Sequence, residues 1–178
     1  MFAIVLAALD RSGSVLPILC AMAVHELAHI VMMLACGGQV RRLTLRFADL
    51  QIAASGLGYR QELLSALAGP LVNLICGAAF CMQRPSFAAY SLMLGIYNLL
   101  PVWPLDGGRV LRCALLARLP ITQAEHISEI VSFAACAVLL LIGVFLTFFR
   151  KSGLWPLGTA AYLTVRLLML ARHTDAVQ

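Results

Sequence analysis

Apolar residues run along this chain in blocks of roughly membrane length, separated by short polar segments. The blocks at Ser14–Cys36, Gln61–Met82, Ser86–Leu100, Ile127–Phe149 and Leu154–Ala171 predict five helices. A bilayer core of about 30 Å takes about 20 helical residues, so the third block is short for a span. It also runs into Pro101 and Pro104, which end or kink it. A break at membrane depth is tolerated only where the freed backbone faces protein or a wet cavity. Phe2 to Leu9 is apolar but too short to span, and Asp10-Arg11 follows at once. It reads as half of an interrupted first helix or an interfacial segment, and the missing positive n-region argues against a cleavable signal.

Between the first two blocks the period changes. In Val40–Phe47, Leu43, Leu45 and Phe47 alternate with Arg42, Thr44 and Arg46, the period of two that marks a strand. Gln51–Ala54 is a weaker second strand, and Gly56 and Gly58 punctuate the approach to the next helix. An interfacial hairpin is expected here, with a plain basic loop as the alternative. The fold class is thus an all-α multi-pass membrane protein of five to six transmembrane helices, carrying one small membrane-associated β-hairpin.

Composition agrees. Of 178 residues, 62% are hydrophobic and 12% charged, with a mean hydropathy of +0.93. Soluble domains lie nearer half apolar and a quarter charged. One membrane domain over residues 1–178 is expected, with core motifs in 25–108 and accessory helices in 127–171. The net charge of +5 comes largely from arginines in short loops, which suits an anionic inner leaflet better than nucleic acid. Alternating the loops across the membrane puts Arg41, Arg42, Arg46, Arg60, Arg109, Arg112, Arg118 and Arg172 on one side. The other receives only Arg11, Arg84, Arg150 and Lys151, so the first side is expected to be cytoplasmic, with the Asp106 loop near it. The six cysteines form no close pair and read as small buried hydrophobes.

The first block contains His25-Glu26-Leu27-Ala28-His29, and every residue of Val15–Ala35 outside that pentad is apolar. Charged groups at membrane depth cost about 2.5–3.5 kcal/mol each on an insertion scale, so such groups imply a function. Positions i and i+4 share a helix face, so His25 and His29 can offer two imidazoles to one zinc ion. Zinc lowers the pKa of a bound water from 15.7 to about 7, and Glu26 is placed to take a proton from the attacking water and pass it to a leaving amine. This is the H-E-x-x-H logic of zinc proteases.

A catalytic zinc wants a third protein ligand. Glu62 reads as a first-turn acid at a helix start, and His126, between Glu125 and Glu129, as part of a solvated helix start. Asp106 follows two prolines and precedes Gly107-Gly108, which by itself signals only a rigid turn with close backbone approach.

The segment Asn98-Leu-Leu-Pro101-Val-Trp-Pro104-Leu-Asp106-Gly107-Gly108-Arg109 resembles the second signature of the site-2 proteases, the intramembrane zinc metalloproteases of peptidase family M50. With His25-Glu-Leu-Ala-His29 it matches that family's two-part active site in the expected order. Gly69-Pro70-Leu-Val-Asn73 is similar to a Gly-Pro motif in the intervening helix. Within the family, the wording around Asp106 most resembles the stage IV sporulation branch, which trims a pro-sigma factor.

The resemblance implies one zinc held by His25, His29 and Asp106, with Glu26 as the base. It puts Asn98 at a catalytic asparagine that hydrogen-bonds the substrate carbonyl, where a helix-capping amide is the alternative. Gly69, Pro70, Asn73, Pro101, Pro104, Gly107 and Gly108 are supporting or substrate-binding positions; Asn73 reads equally as an interhelical hydrogen bond, and Trp103 as an interfacial anchor. That branch commonly carries a C-terminal nucleotide-sensing CBS domain, whereas this chain ends at Gln178 soon after its last apolar run, so ATP control is not expected. The implied activity is hydrolysis of a peptide bond in or beside a membrane segment, in a pro-sigma-factor-like precursor or alternatively in an anti-sigma factor or signal-peptide remnant. The implied partners are a membrane-associated protein substrate, the bilayer and membrane inhibitor proteins, and the location is the cell membrane. A zinc transporter and a non-catalytic scaffold are the rivals of another class; the convergence of ligands on one site argues against the first and the complete ligand set against the second.

Overall fold

The structure, a computed structural model, describes residues 13–46, 49–55, 58–148, 158–165 and 167, with the backbone alone over 39–55. The interrupted N-terminal helix, Phe47 and half of the Leu154–Ala171 helix lie outside those residues. Five helices and two strands are described: α1 (Val15–Ala35), β1 (Gln39–Arg46), β2 (Asp49–Ser55), α2 (Tyr59–Ala79), α3 (Pro85–Asn98), α4 (Asp106–Leu116) and α5 (Ile121–Phe148). Residues 158–165 add a short helical stretch. The chain divides into two compact units, Met1–Leu99 and Leu100–Gln178.

In the first unit α1, α2 and α3 pack on one another. The buried positions of α1 are Ala21, His25, His29 and Met33, one stripe at spacing four. Facing elements bury small or polar residues: Ser65, Ala66, Ala68, Gly69, Pro70, Asn73 and Gly77 on α2, and Ala88, Ser91 and Gly95 on α3. The large apolar side chains Leu27, Val31, Leu34, Leu71, Ile75, Met93 and Ile96 point outward. Small residues inside and bulky apolar ones outside is the arrangement lipid favours, because close backbone packing and interhelical hydrogen bonds replace hydrophobic burial as the drive to associate.

Gln61 joins the ends of α1 and α2. Its side-chain oxygen accepts from the Gly58 N–H at 2.8 Å, and its amide donates to the Cys36 carbonyl at 3.0 Å. Between those ends β1 and β2 pair antiparallel, from Gln39 opposite Ser55 to Arg46 opposite Asp49, with an irregularity between Val40 and Arg42. The alternation therefore marks a strand as far as Arg46, the last described residue of that run, and the second strand is longer than Gln51–Ala54.

Among the described residues, α1, α2 and α5 are long and apolar enough to cross a membrane. The 14 residues of α3 reach only about 21 Å at 1.5 Å per residue, short of a hydrocarbon core.

The second unit brings a correction. The segment from Asp106 is a helix and not a turn: Leu105 is extended, with φ −65° and ψ 163°, and α4 begins at Asp106 itself. Two glycines at a helix start cost about 1 kcal/mol each in propensity, which is why the local pattern reads as a turn. Three things outweigh that cost. A carboxylate in the first turn meets the positive end of the helix dipole. Gly108 lets the helix close onto the backbone before it. The amphipathic order buries Cys113 and Leu116 while leaving Arg109 and Arg112 partly exposed. The next helix also starts earlier than its apolar run, at Ile121 rather than Ile127, because the polar turns around Glu125 and His126 are helical. Its buried stripe is Ala124, Ser128, Ser132, Cys136 and Gly143.

Candidate metal centre

Both histidines of the pentad face inward, His25 at 5% and His29 at 7% exposure. Their Nε2 atoms are 3.1 Å apart and the rings meet edge to face at 83°. Two nitrogens, each about 2.0–2.1 Å from one tetrahedral zinc, stand roughly 3.3 Å apart, so this pair fits two corners of such a site. Glu26, next along α1, is half-buried.

Each imidazole is held from behind by α2. The His29 Nδ1–H donates to the Ser65 carbonyl at 2.7 Å, which leaves Nε2 with its lone pair. Ser65 returns the contact, its hydroxyl lying 3.4 Å from the His29 carbonyl. Asn73, fully buried, places Nδ2 3.2 Å from His25 Nδ1, and its Oδ1 has no hydrogen-bond partner among the described residues. Gly69 lies directly against His29: a Cβ there would come within 3.0 Å of Nε2, Cε1 and Cδ2 of the ring. Pro70, inside α2, has no N–H for the Ala66 carbonyl, one position beyond the carbonyl that His29 uses. The Gly69-Pro70-Leu-Val-Asn73 motif is thus the wall against which both imidazoles rest. Ser65 carries no such sequence signal, because the group it contributes is backbone.

Asn98 is the last residue of α3, half-buried, and its amide donates to the Leu94 carbonyl at 3.1 Å.

The second unit holds Asp106 at the start of α4. Asp106, Gly107 and Gly108 are buried, and Arg109 approaches the Asp106 carboxylate at 3.7 Å. The loop before it is tightly set. Val102 is fully buried, and a Cβ at Gly108 would stand 2.6 Å from the Trp103 nitrogen and the Val102 carbonyl carbon. The Trp103 N–H donates to Ser132 Oγ at 3.1 Å, and that hydroxyl donates to the Ser128 carbonyl at 2.8 Å. The Trp103–Pro104 peptide is cis, and Pro101 and Pro104 are half-buried. Arg112 lies 6.0 Å from the Trp103 ring centre and pairs with Glu125 at 2.9 Å, so Trp103 packs under a cation as well as flanking the loop. Ser132 was not legible as part of this loop, since it sits in an apolar run 29 residues from Trp103.

The family model of peptidase family M50 matches residues 84–142. A zinc metalloprotease of Methanocaldococcus jannaschii is 26% identical over 133 residues, which cover 67% of this chain and 39% of that protein. Stage IV sporulation protein FB of Bacillus subtilis is 28% identical over 138 residues, covering 70% of this chain and 47% of that one. The chain thus spans between about two fifths and one half of the length of these curated relatives. The solved site-2 protease from M. jannaschii superposes with a TM-score of 0.68 at 20% identity, over 94% of this chain and 83% of its own, a likeness of fold. Family model, sequence relatives and fold agree in what they resemble: the chain is similar to the metalloproteases of peptidase family M50 and has the fold of a site-2 protease.

Proposed function

We propose that this protein is an intramembrane zinc metalloprotease that hydrolyses a peptide bond in or beside a membrane-associated segment of a protein substrate. The observation that carries the reading is the pair of buried imidazoles on a membrane-length helix, Nε2 to Nε2 at 3.1 Å, each fixed from behind by α2. His25 and His29 supply two ligands to one zinc, and Asp106 the third. Zinc, when bound, contributes Lewis acidity toward the scissile carbonyl. Glu26 takes the proton of the attacking water and delivers it to the departing amine. Asn98 leaves its helix-end bond to Leu94 and donates to the substrate carbonyl as charge develops there. The two units act as one protease domain, the active site opens toward the cytoplasmic side, and the β1–β2 pair lies at the membrane surface.

A membrane-associated precursor of a sigma factor is the substrate class implied by the resemblance of the Asp106 motif to the sporulation branch; an anti-sigma factor or a signal-peptide remnant is the alternative. Co-expression of the chain with tagged precursors of each class tests this. Trimming of one class is expected, with Glu26→Gln abolishing it while bound zinc persists. Trimming that survives Glu26→Gln would overturn the assignment of the base, and transport of zinc without any cleavage would overturn the protease reading.

A further inference from the structure

The proton arrangement around the two imidazoles follows from their partners. A carbonyl only accepts, so the Ser65 oxygen forces the neutral His29 to carry its proton on Nδ1 and to present a lone pair at Nε2. Across the 3.1 Å between the rings, His25 then donates from Nε2, and its Nδ1 accepts from Asn73 Nδ2. That chain is self-consistent, yet it hides the His25 Nε2 lone pair that a metal needs. It also strands Asn73 Oδ1, an acceptor in a fully buried residue that meets no donor among the described residues. Turning the Asn73 amide over exchanges its oxygen and nitrogen without changing its outline. As placed, Oδ1 meets no donor among the described residues; turned over, that oxygen faces His25 Nδ1, so His25 is where the two orientations differ.

Resting on the zinc-protease reading, we infer that Asn73 is a positioning residue that sets the tautomer of His25. In the metal-competent state Asn73 Oδ1 accepts the His25 Nδ1–H, and Nε2 of His25 is left as a lone pair beside that of His29. Ser65 does the same for His29 through its backbone, so α2 supplies one acceptor behind each imidazole. Acceptors behind ligating histidines fix ring orientation and raise ligand basicity, and their loss typically costs 10–100-fold in metal affinity. The side chain at 73 matters here as an acceptor, which separates this role from a general interhelical hydrogen bond.

The test measures zinc affinity of the purified full chain in detergent, by competition with a chromophoric chelator and with zinc alone as ligand. Asn73→Leu is expected to weaken binding about 10–100-fold. Asn73→Asp, which can only accept when ionised, is expected to bind at least as tightly as the parent. If Asn73→Asp is as weak as Asn73→Leu, a donor or the mere shape of the amide is what matters, and the inference falls. Nitrogen-15 spectra of the parent, with its histidines labelled, give an answer independent of how the variants fold. Zinc-loaded His25 protonated on Nδ1 supports the inference, and protonation on Nε2 overturns it. A parent chain that binds no zinc would sink the protease reading itself, an outcome distinct from either of these.

Discussion

Gly69 and His29 touch so closely that α2 has no room for a side chain at that point: a Cβ on Gly69 would press into the imidazole, within 3.0 Å of its Nε2. The obstacle is the imidazole ring itself and not the far end of a flexible chain. Gly69→Ala is therefore expected to turn or push His29 off its bond to the Ser65 carbonyl and to lower zinc affinity by at least about tenfold, on the scale of losing an outer-shell partner. Helix content by circular dichroism should stay near the parent's, since alanine is a better helix former than glycine. Unchanged affinity would show that the ring has another seat.

Ser132 ties the loop before Asp106 to α5, accepting from Trp103 N–H and donating to the Ser128 carbonyl. It is fully buried, so Ser132→Ala leaves the Trp103 amide without an acceptor, at a cost of about 1–3 kcal/mol. Ser132→Ala is expected to melt earlier in detergent. Its zinc affinity should fall as well, since Asp106 is set by that loop. Ser132→Thr, which keeps the hydroxyl, should recover part of both.

On the proposed reading, Asp106 is the third zinc ligand, supplied by the second signature motif. Asp106→Ala and Asp106→Asn should each reduce the zinc retained after dialysis, measured by elemental analysis, and abolish cleavage. Asn, with one neutral oxygen, should retain more metal than Ala. Full occupancy in Asp106→Ala would require a different third ligand, such as a downstream glutamate.

Zinc bound to the native chain and not to the unfolded one stabilises by mass action, about 2.7 kcal/mol at a hundred times Kd. Chelation is accordingly expected to lower the melting temperature of the parent. The shift should vanish in a His25→Ala, His29→Ala double variant. A parent whose melting ignores chelator would exclude a tightly held structural or catalytic metal.

The sequence by itself determined whatever depends on neighbours within a turn or two. Two histidines four apart on an apolar helix share a face whatever surrounds them, because 3.6 residues per turn is a property of the backbone. The alternation of Leu43 and Leu45 with Arg42 and Thr44 likewise marks a strand that is observed, in β1. Helix α4 escaped this kind of reading because two glycines at its start mimic a turn, and packing against Val102 and Trp103, which helps to repay their cost, is not written in the local pattern. What stands behind the imidazoles was decided by tertiary structure alone. In a lipid-facing helix almost every face is apolar, so periodicity does not say which side meets protein. The approach of α2 to α1 is chosen by small residues such as Gly69, and it is that approach which brings a backbone carbonyl to His29 and an amide to His25.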